Sequence, residues 1–213
     1  MTRRASAARP RYHHGDLRAA LIDAATRLVS ENRVETFSVA DAARAAGVSS
    51  GAPYRHFADR DDLLDHVAAA GFERMHEQTM QAMAAEPSGS LDSVVAGGCA
   101  YVAFAAENPE LFHLMWGAAR PHGPSHAARE SGQQCHAGFI EAFSAVMAAQ
   151  GLERLDPYAF SMPLWAMVHG YASLLLGPAE KVPREPAAIR AMIDVAVRAY
   201  FAGRVAAARE PSA

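Results

Sequence analysis

Residues Ser38 to Leu64 read SVADAARAAGVSSGAPYRHFADRDDLL, and the punctuation inside this stretch decides the fold. Ser38 is an N-cap by type, followed by the helix-favouring run Ala40, Asp41, Ala42, Ala43, Arg44, Ala45, Ala46. Gly47 then supplies the residue that most readily takes positive φ, so the first helix stops there. Ala42, Ala43 and Ala46 are small enough for a second helix to cross closely, and Val48 pins the corner to a core. Ser49 or Ser50 caps a second, short helix expected over Ser50 to Phe57, with Pro53 in its first turn, where a missing N–H costs little. Asp59 caps a third helix that begins Arg60, Asp61, Asp62, Leu63, Leu64. Two helices joined this tightly form a helix-turn-helix.

The second helix displays hydroxyls, a guanidinium and an imidazole, from Ser50, Tyr54, Arg55 and His56. Groups of these kinds bind phosphates and base edges. Tyr54 and His56 are expected at phosphates, with Ser38 and Arg60 as further backbone anchors; Ser50, Arg55 and Arg44 are candidates for base edges. Ser49, Gly51 and Ala52 complete the expected DNA-facing surface, and one of Tyr54 and Phe57 anchors the helix to the core. Gly51, Ala52 and Pro53 offer little hydrogen bonding, so the segment reads chiefly as a device for docking on phosphates. Sequence choice falls to a few arginines.

The run AGVSSGAPYRHFADRDDLL resembles the signature of the TetR family of bacterial transcriptional regulators: a small residue, Ala-Gly-Val, serine, a variable pair, Tyr-x-His-Phe, then a basic residue, acids and Leu. The resemblance covers roughly residues 17–64 at motif level. Arg60 stands where lysine is common, which keeps the charge but changes the donor geometry. Ala42 stands where a larger aliphatic residue is usual, which thins the local packing. The resemblance implies an all-α protein, with an N-terminal three-helix DNA-binding domain and a C-terminal helical domain for ligand binding and dimerisation. It also implies a homodimer in which two helices of each subunit pack across a two-fold axis. A symmetric dimer reads two half-sites of a palindromic operator in double-stranded DNA, about 34–36 Å apart or a multiple of it.

Charge is distributed as that reading requires. Residues 1–60 hold ten arginines against six acids, whereas the remainder holds ten basic and seventeen acidic residues, and the whole chain carries a formal charge of −3. A basic N-terminal part on an acidic body suits a DNA reader joined to a regulatory domain. Residues 1–14 read as a flexible basic arm carrying Arg3, Arg4, Arg9 and Arg11, either reaching phosphates or a minor groove, or simply frayed. No apolar stretch follows these arginines, as a secretory signal would require. Cys99 and Cys135 need not pair, and a cytoplasmic, reducing location is the simpler inference.

The domains expected are the helix-turn-helix over 15–62, a regulatory and dimerisation domain over 63–207, and a disordered tail over 208–213. In the first helix Leu17, Leu21, Ala24, Ala25, Leu28 and Val29 form one apolar stripe. A long helix runs from about Asp61 into the eighties, and EPSGS at 86–90 breaks it. Helices then follow over Leu91 to Glu107, from Asn108-Pro109, through Cys135 to Gln150, over Pro157 to Leu176, and from Pro186 to about Ala207. Pro157 to Ala179 holds no Asp, Glu, Lys or Arg over a length that spans a bilayer. With no second span or basic flank beside it, a helix buried against protein is the reading taken, with no membrane partner.

The body is rich in aromatic and methionine side chains, and a cavity among its helices suits a small apolar or aromatic effector. Phe104, His113, Trp116, Phe139, Phe143, Met162, Trp165 and His169 are the expected ligand-binding residues. The stretch Trp165 to Gly170, WAMVHG, resembles the Trp-x-x-x-His-Gly element of one C-terminal subgroup of the family. His122, His126, Cys135 and His136 suggest a metal by type, but Cys135 and His136 point about 100° apart on a helix, so no metal site is expected. No nucleophile elbow, phosphate loop or metal-hydrolase motif occurs; no enzyme activity and no cofactor are expected. The functional expectation is a DNA-binding repressor released by a small apolar ligand. The alternative is a constitutive helix-turn-helix architectural protein whose body is solid core.

Overall fold

The computed structural model describes residues 14–31, 34, 36–116, 126–177 and 182–209. Of the basic arm expected over 1–14 and the tail expected over 208–213, residues 1–13 and 210–213 lie outside them, as does His122, whereas His14 begins the first helix and 208–209 end the last. The described residues form eight α-helices and no strand. They are α1 (His14–Ser30), α2 (Val39–Ala45), α3 (Arg60–Ala84), α4 (Leu91–Glu107), α5 (Pro109–Met115), α6 (His126–Ala149), α7 (Pro157–Leu176) and α8 (Pro186–Arg209). The chain divides into two compact units between Val67 and Ala68, a point that falls inside α3.

The N-terminal unit is held by the stripe read from α1. Leu21, Ala24, Ala25, Leu28 and Val29 are buried, together with Phe37, Val39, Ala42, Ala43, Pro53, Phe57 and Leu63. Ala42 and Ala43, at 0 % and 1 % exposure, let α2 lie close against α1. Ser38 caps α2 through a reciprocal box: its hydroxyl accepts from Asp41 N–H at 3.3 Å, and its own N–H donates to the Asp41 carboxylate at 2.9 Å. Gly47, at φ 72°, closes the far end. The Val48 N–H returns to Ala43 O at 2.9 Å and the Gly47 N–H to Arg44 O at 3.1 Å, the two bonds of a Schellman cap.

The second helix of the motif is shorter than the sequence suggests. Only Pro53–Arg55 form a turn of 3₁₀ helix, flanked by single turns rather than a helix over Ser50 to Phe57. Pro53 has no N–H to give to Ser49 or Ser50, so no helical bond runs back from it, while Phe57 N–H closes one α-type bond to Pro53 O at 2.9 Å. Ala52 N–H donates to Ser49 O at 3.0 Å and His56 N–H to Pro53 O at 2.8 Å.

In the C-terminal unit α4 is the central element, packed chiefly against α7 and α8, while α6 packs on α7. Its mostly apolar sequence explains that position: Val94, Val95, Tyr101, Val102, Phe104 and Ala105 are all buried. Gly97 permits the close approach of α3, since a Cβ there would meet Met83 Cγ at 2.8 Å. The charge-free helix α7 is the one described helix long and apolar enough to cross a membrane, and 39 % of that window is buried. Phe160, Ser161, Leu164, Val168, Tyr171, Ala172 and Leu175 form its buried face.

Candidate nucleic-acid interface and ligand cavity

The turn after α2 is fastened by Phe57 and displays what surrounds it. Phe57 is 2 % exposed; the Arg18 guanidinium of α1 lies 5.6 Å from its ring centre and the His66 ring of α3 lies 5.5 Å from it. Of the two aromatics, Phe57 is therefore the anchor, and Tyr54 is 60 % exposed. Ser49, Ser50, Gly51 and Arg55 are exposed with it, while Ala52 and His56 are half-buried. Between Asp41 and Asp59 the chain carries Arg44 and Arg55 but no acid. Arg44, on the last turn of α2, is 78 % exposed and pairs with Asp41 at 3.0 Å. Hydrogen bonds from the Ser38 side chain and backbone, then the Arg44 charge, hold the Asp41 carboxyl below its ordinary pKa.

Two of the expected phosphate anchors have internal work. The Ser38 hydroxyl donates to the Asp41 carboxylate at 2.8 Å, so its hydrogen serves the cap. Arg60 donates through Nε to Phe37 O at 3.0 Å and through Nη2 to Val34 O, with its guanidinium 5.4 Å from the Phe37 ring centre. It ties the start of α3 to the connection before α2, a role that the helix pattern alone did not reveal. Asp59 caps α3 as read, accepting from the Asp62 N–H at 2.9 Å.

The C-terminal unit encloses a cavity of about 800 Å³ among α3, α4, α6, α7 and α8. Trp116, Phe139, Phe143, Met162 and Trp165 line it, five of the eight residues expected there. Phe104 does not: it is 1 % exposed in the core, with Arg74 stacked 6.0 Å from its ring centre. His113 is exposed and also away from the cavity, because the short helix α5 turns Leu111, Phe112, Leu114 and Met115 inward instead. His169 stands behind the wall. Its ring stacks on Trp165 at 5.1 Å, and its Nδ1 shares a 2.9 Å hydrogen bond with the Tyr101 hydroxyl, whose pKa burial pushes well up. Trp165 and His169, four apart on α7, thus act as one aromatic plate.

Sequence reading missed Phe72, Met75, His76 and Thr79 of α3, Tyr101 of α4, Arg129, Gln133 and His136 of α6 and Tyr158 of α7, all in the cavity wall. α3 is legible in the sequence only as a long helix; nothing in it says that one face meets a hollow rather than a core. Cys135 also lines the cavity, donating from Sγ to Phe72 O at 3.1 Å, and burial pushes its thiol up to about 11. It is thereby a poor nucleophile and metal ligand. Among the described residues no group of three His, Cys, Asp or Glu is arranged to hold a metal ion.

A capped, glycine-cornered pair of short elements on a three-helix core, followed by a separate helical unit, is the architecture of a helix-turn-helix DNA-binding protein. The family described as tetracyclin repressor-like, C-terminal domain, matches residues 94–205, and the one described as bacterial regulatory proteins, tetR family, matches residues 21–67. The chain belongs to the TetR family of bacterial regulatory proteins, which are DNA-binding transcription regulators and not enzymes. It is 40 % identical over 52 residues to the HTH-type transcriptional regulator AcrR of Shigella flexneri, a match covering 24 % of each chain. The matched part thus spans about a quarter of that curated relative. A protein of unknown function from Rhodococcus sp. RHA1 is similar in structure, with a TM-score of 0.75 and 29 % identity over 92 % of this chain and 98 % of that one. The TetR family transcriptional regulator PfmR from Thermus thermophilus shares the fold at a TM-score of 0.59 and 20 % identity, over 84 % of this chain and 97 % of that one.

Proposed function

We propose that this chain is a cytoplasmic, homodimeric repressor that binds a palindromic operator and leaves it when a small apolar ligand enters the C-terminal cavity. The observation that carries the reading is the course of α3. This one helix begins at Arg60, tied to Phe37 and Val34, and farther along supplies Phe72, Met75, His76 and Thr79 to the cavity wall. A ligand that prefers one position of the wall biases the start of the same helix, and it need only bind that state better.

Tyr54 and His56 contact phosphates, Arg55 and Arg44 reach base edges, and Ser49, Ser50, Gly51 and Ala52 bring the backbone close. Arg60 and Ser38 orient this surface from behind. The dimer forms through α7 and α8, whose outer faces leave Leu174 at 54 % and Val195 at 68 % exposure among exposed alanines. Assignment to the Trp-His-Gly subgroup rests on Trp165 to Gly170 alone.

The test is to select genomic fragments retained by the purified protein and measure their release against a panel of apolar compounds. Ile140→Trp, which fills the cavity from α6, should leave fragment binding intact and blunt release. Release unchanged by Ile140→Trp, or no release by any compound that stabilises the protein, would sink the ligand-controlled mechanism.

A further inference from the structure

Alongside His76 and Thr79 of α3, Tyr101 of α4 and Tyr158 of α7, the cavity wall has a row of polar residues on α6. Arg129, Gln133 and His136 stand at i, i+4 and i+7, a spacing that places them on one helix face. Arg129 and Gln133 are exposed, whereas His136 is half-buried. Farther along the same helix the lining turns apolar, through the half-buried Phe139 and Ile140 to Phe143, which is 0 % exposed. From Arg129 to Phe143 the axial rise is about 21 Å, so the wall runs from a charged, wetted end to a dry one.

His136 has an unmet need. Its Nε2 is fully covered and has no hydrogen-bond partner among the described residues, while its ring rests edge-on against Tyr158 at 5.3 Å. Burial lowers its pKa, so the ring is neutral at neutral pH and Nε2 is free to carry a hydrogen. A buried ring nitrogen left unpaired is unfavourable, because it has given up its hydrogen bond to water without gaining another. Two other polar groups in the wall are paired within the protein: the Tyr101 hydroxyl bonds His169, and the Cys135 thiol bonds Phe72 O. No Asp or Glu is among the described lining residues, and Glu73, the acid felt by Cys135, lies outside the lining.

We propose that the cavity selects amphiphilic acids, with an anionic carboxylate-class head received by Arg129, Gln133 and the Nε2–H of His136 and an apolar body lying along Phe139 and Phe143. This rests on the ligand-controlled reading above and supplies the chemistry of its ligand. Cations are rejected because Arg129 faces them and no acid compensates. Neutral amphiphiles enter but leave Arg129 and His136 without a strong acceptor.

Both tryptophans of the chain, Trp116 and Trp165, line the cavity, so intrinsic fluorescence of the full-length protein reports directly on it. The probes are decanoate, decan-1-ol and decylamine, titrated below their aggregation limits. Decanoate should bind at least tenfold more tightly than decan-1-ol, with decylamine weakest. Arg129→Gln and His136→Leu should each bring decanoate down towards the alcohol and leave the alcohol unchanged, with circular dichroism confirming the fold. Equal or tighter binding of decylamine or decan-1-ol would overturn the acid selectivity while leaving an apolar ligand site standing. So would a preference for decanoate that survives both substitutions. Failure of all three probes to bind would overturn the selectivity and the apolar site together.

Discussion

At the residue scale, the side chains that differ most in employment are Tyr54, Arg55 and Arg60. Tyr54 and Arg55 are exposed on a turn held from beneath by Phe57, so their substitution should not disturb the fold. Tyr54→Phe should weaken binding to all DNA sequences alike, by about 1 kcal/mol for one lost hydrogen bond. Arg55→Ala should relax preference at a base pair instead, by about 1–3 kcal/mol. Competition binding with a randomised half-site separates the two, and a Tyr54→Phe loss confined to one base pair would contradict its phosphate role. Arg60 shows the limit of reading residue types in order. Its position after Asp59 is legible as helix N-terminal, but the carbonyls of Val34 and Phe37 that it serves are 23 and more residues away.

Titration belongs at this scale too. His66, His136 and His169 all have pKa values lowered chiefly by burial, with Arg18 adding to the effect at His66 against the opposing pull of Asp62. Each binds a proton less readily folded than unfolded, where the ordinary value is 6.5. Their contribution to stability is therefore complete above 6.5 and is lost as pH falls through the lowered values. The melting temperature should be lower at pH 5.5 than at pH 7.5. Asp41, depressed below 3.8, titrates under this window and does not contribute to the difference. A melting temperature unchanged between the two pH values would refute the assignment.

At the element scale, caps are the readable part. Ser38, Gly47, Asp59, Pro109 and Pro157 mark helix ends where the sequence puts them, because a cap is a contact between residues at most a few positions apart. Gly47→Ala tests the corner. Space is open around its Cα, but φ 72° costs an L side chain about 1–2 kcal/mol, so denaturant midpoints should fall and DNA affinity with them. An unchanged midpoint would mean that the corner is not strained in this way. The helix expected over Ser50 to Phe57 illustrates the opposite case. Pro53 stands at the first position of the turn, and having no N–H to carry the helix back to Ser49 or Ser50 it starts the helical part, so that only Pro53–Arg55 are helical.

At the scale of the whole molecule, the proposed dimer is testable at the apolar surface that α7 and α8 leave exposed. The buried face of α7 meets α4 and α6, yet Leu174 stays exposed, as does Val195 of α8. The double substitution Leu174→Glu with Val195→Glu should leave helix content and subunit stability nearly unchanged, since both positions are already wetted. It should convert a dimer to a monomer in analytical ultracentrifugation and weaken operator binding by more than tenfold. A variant that remained dimeric would move the interface elsewhere.

The sequence by itself determined the all-α class, the helix order, the capped corner and the basic N-terminal part, since all of these follow from periodicity, local hydrogen bonding and charge count. It also named the aromatic and methionine population from which the cavity is built. Only the tertiary structure decided which of those residues face the cavity: Trp116, Phe139, Phe143, Met162 and Trp165 do, while Phe104 and His113 are turned away and His136 is brought in. Helical periodicity gives the face a residue shares with its neighbours on the same helix. Whether that face meets core, solvent or a hollow depends on where four other helices leave space, and no spacing along the chain records that.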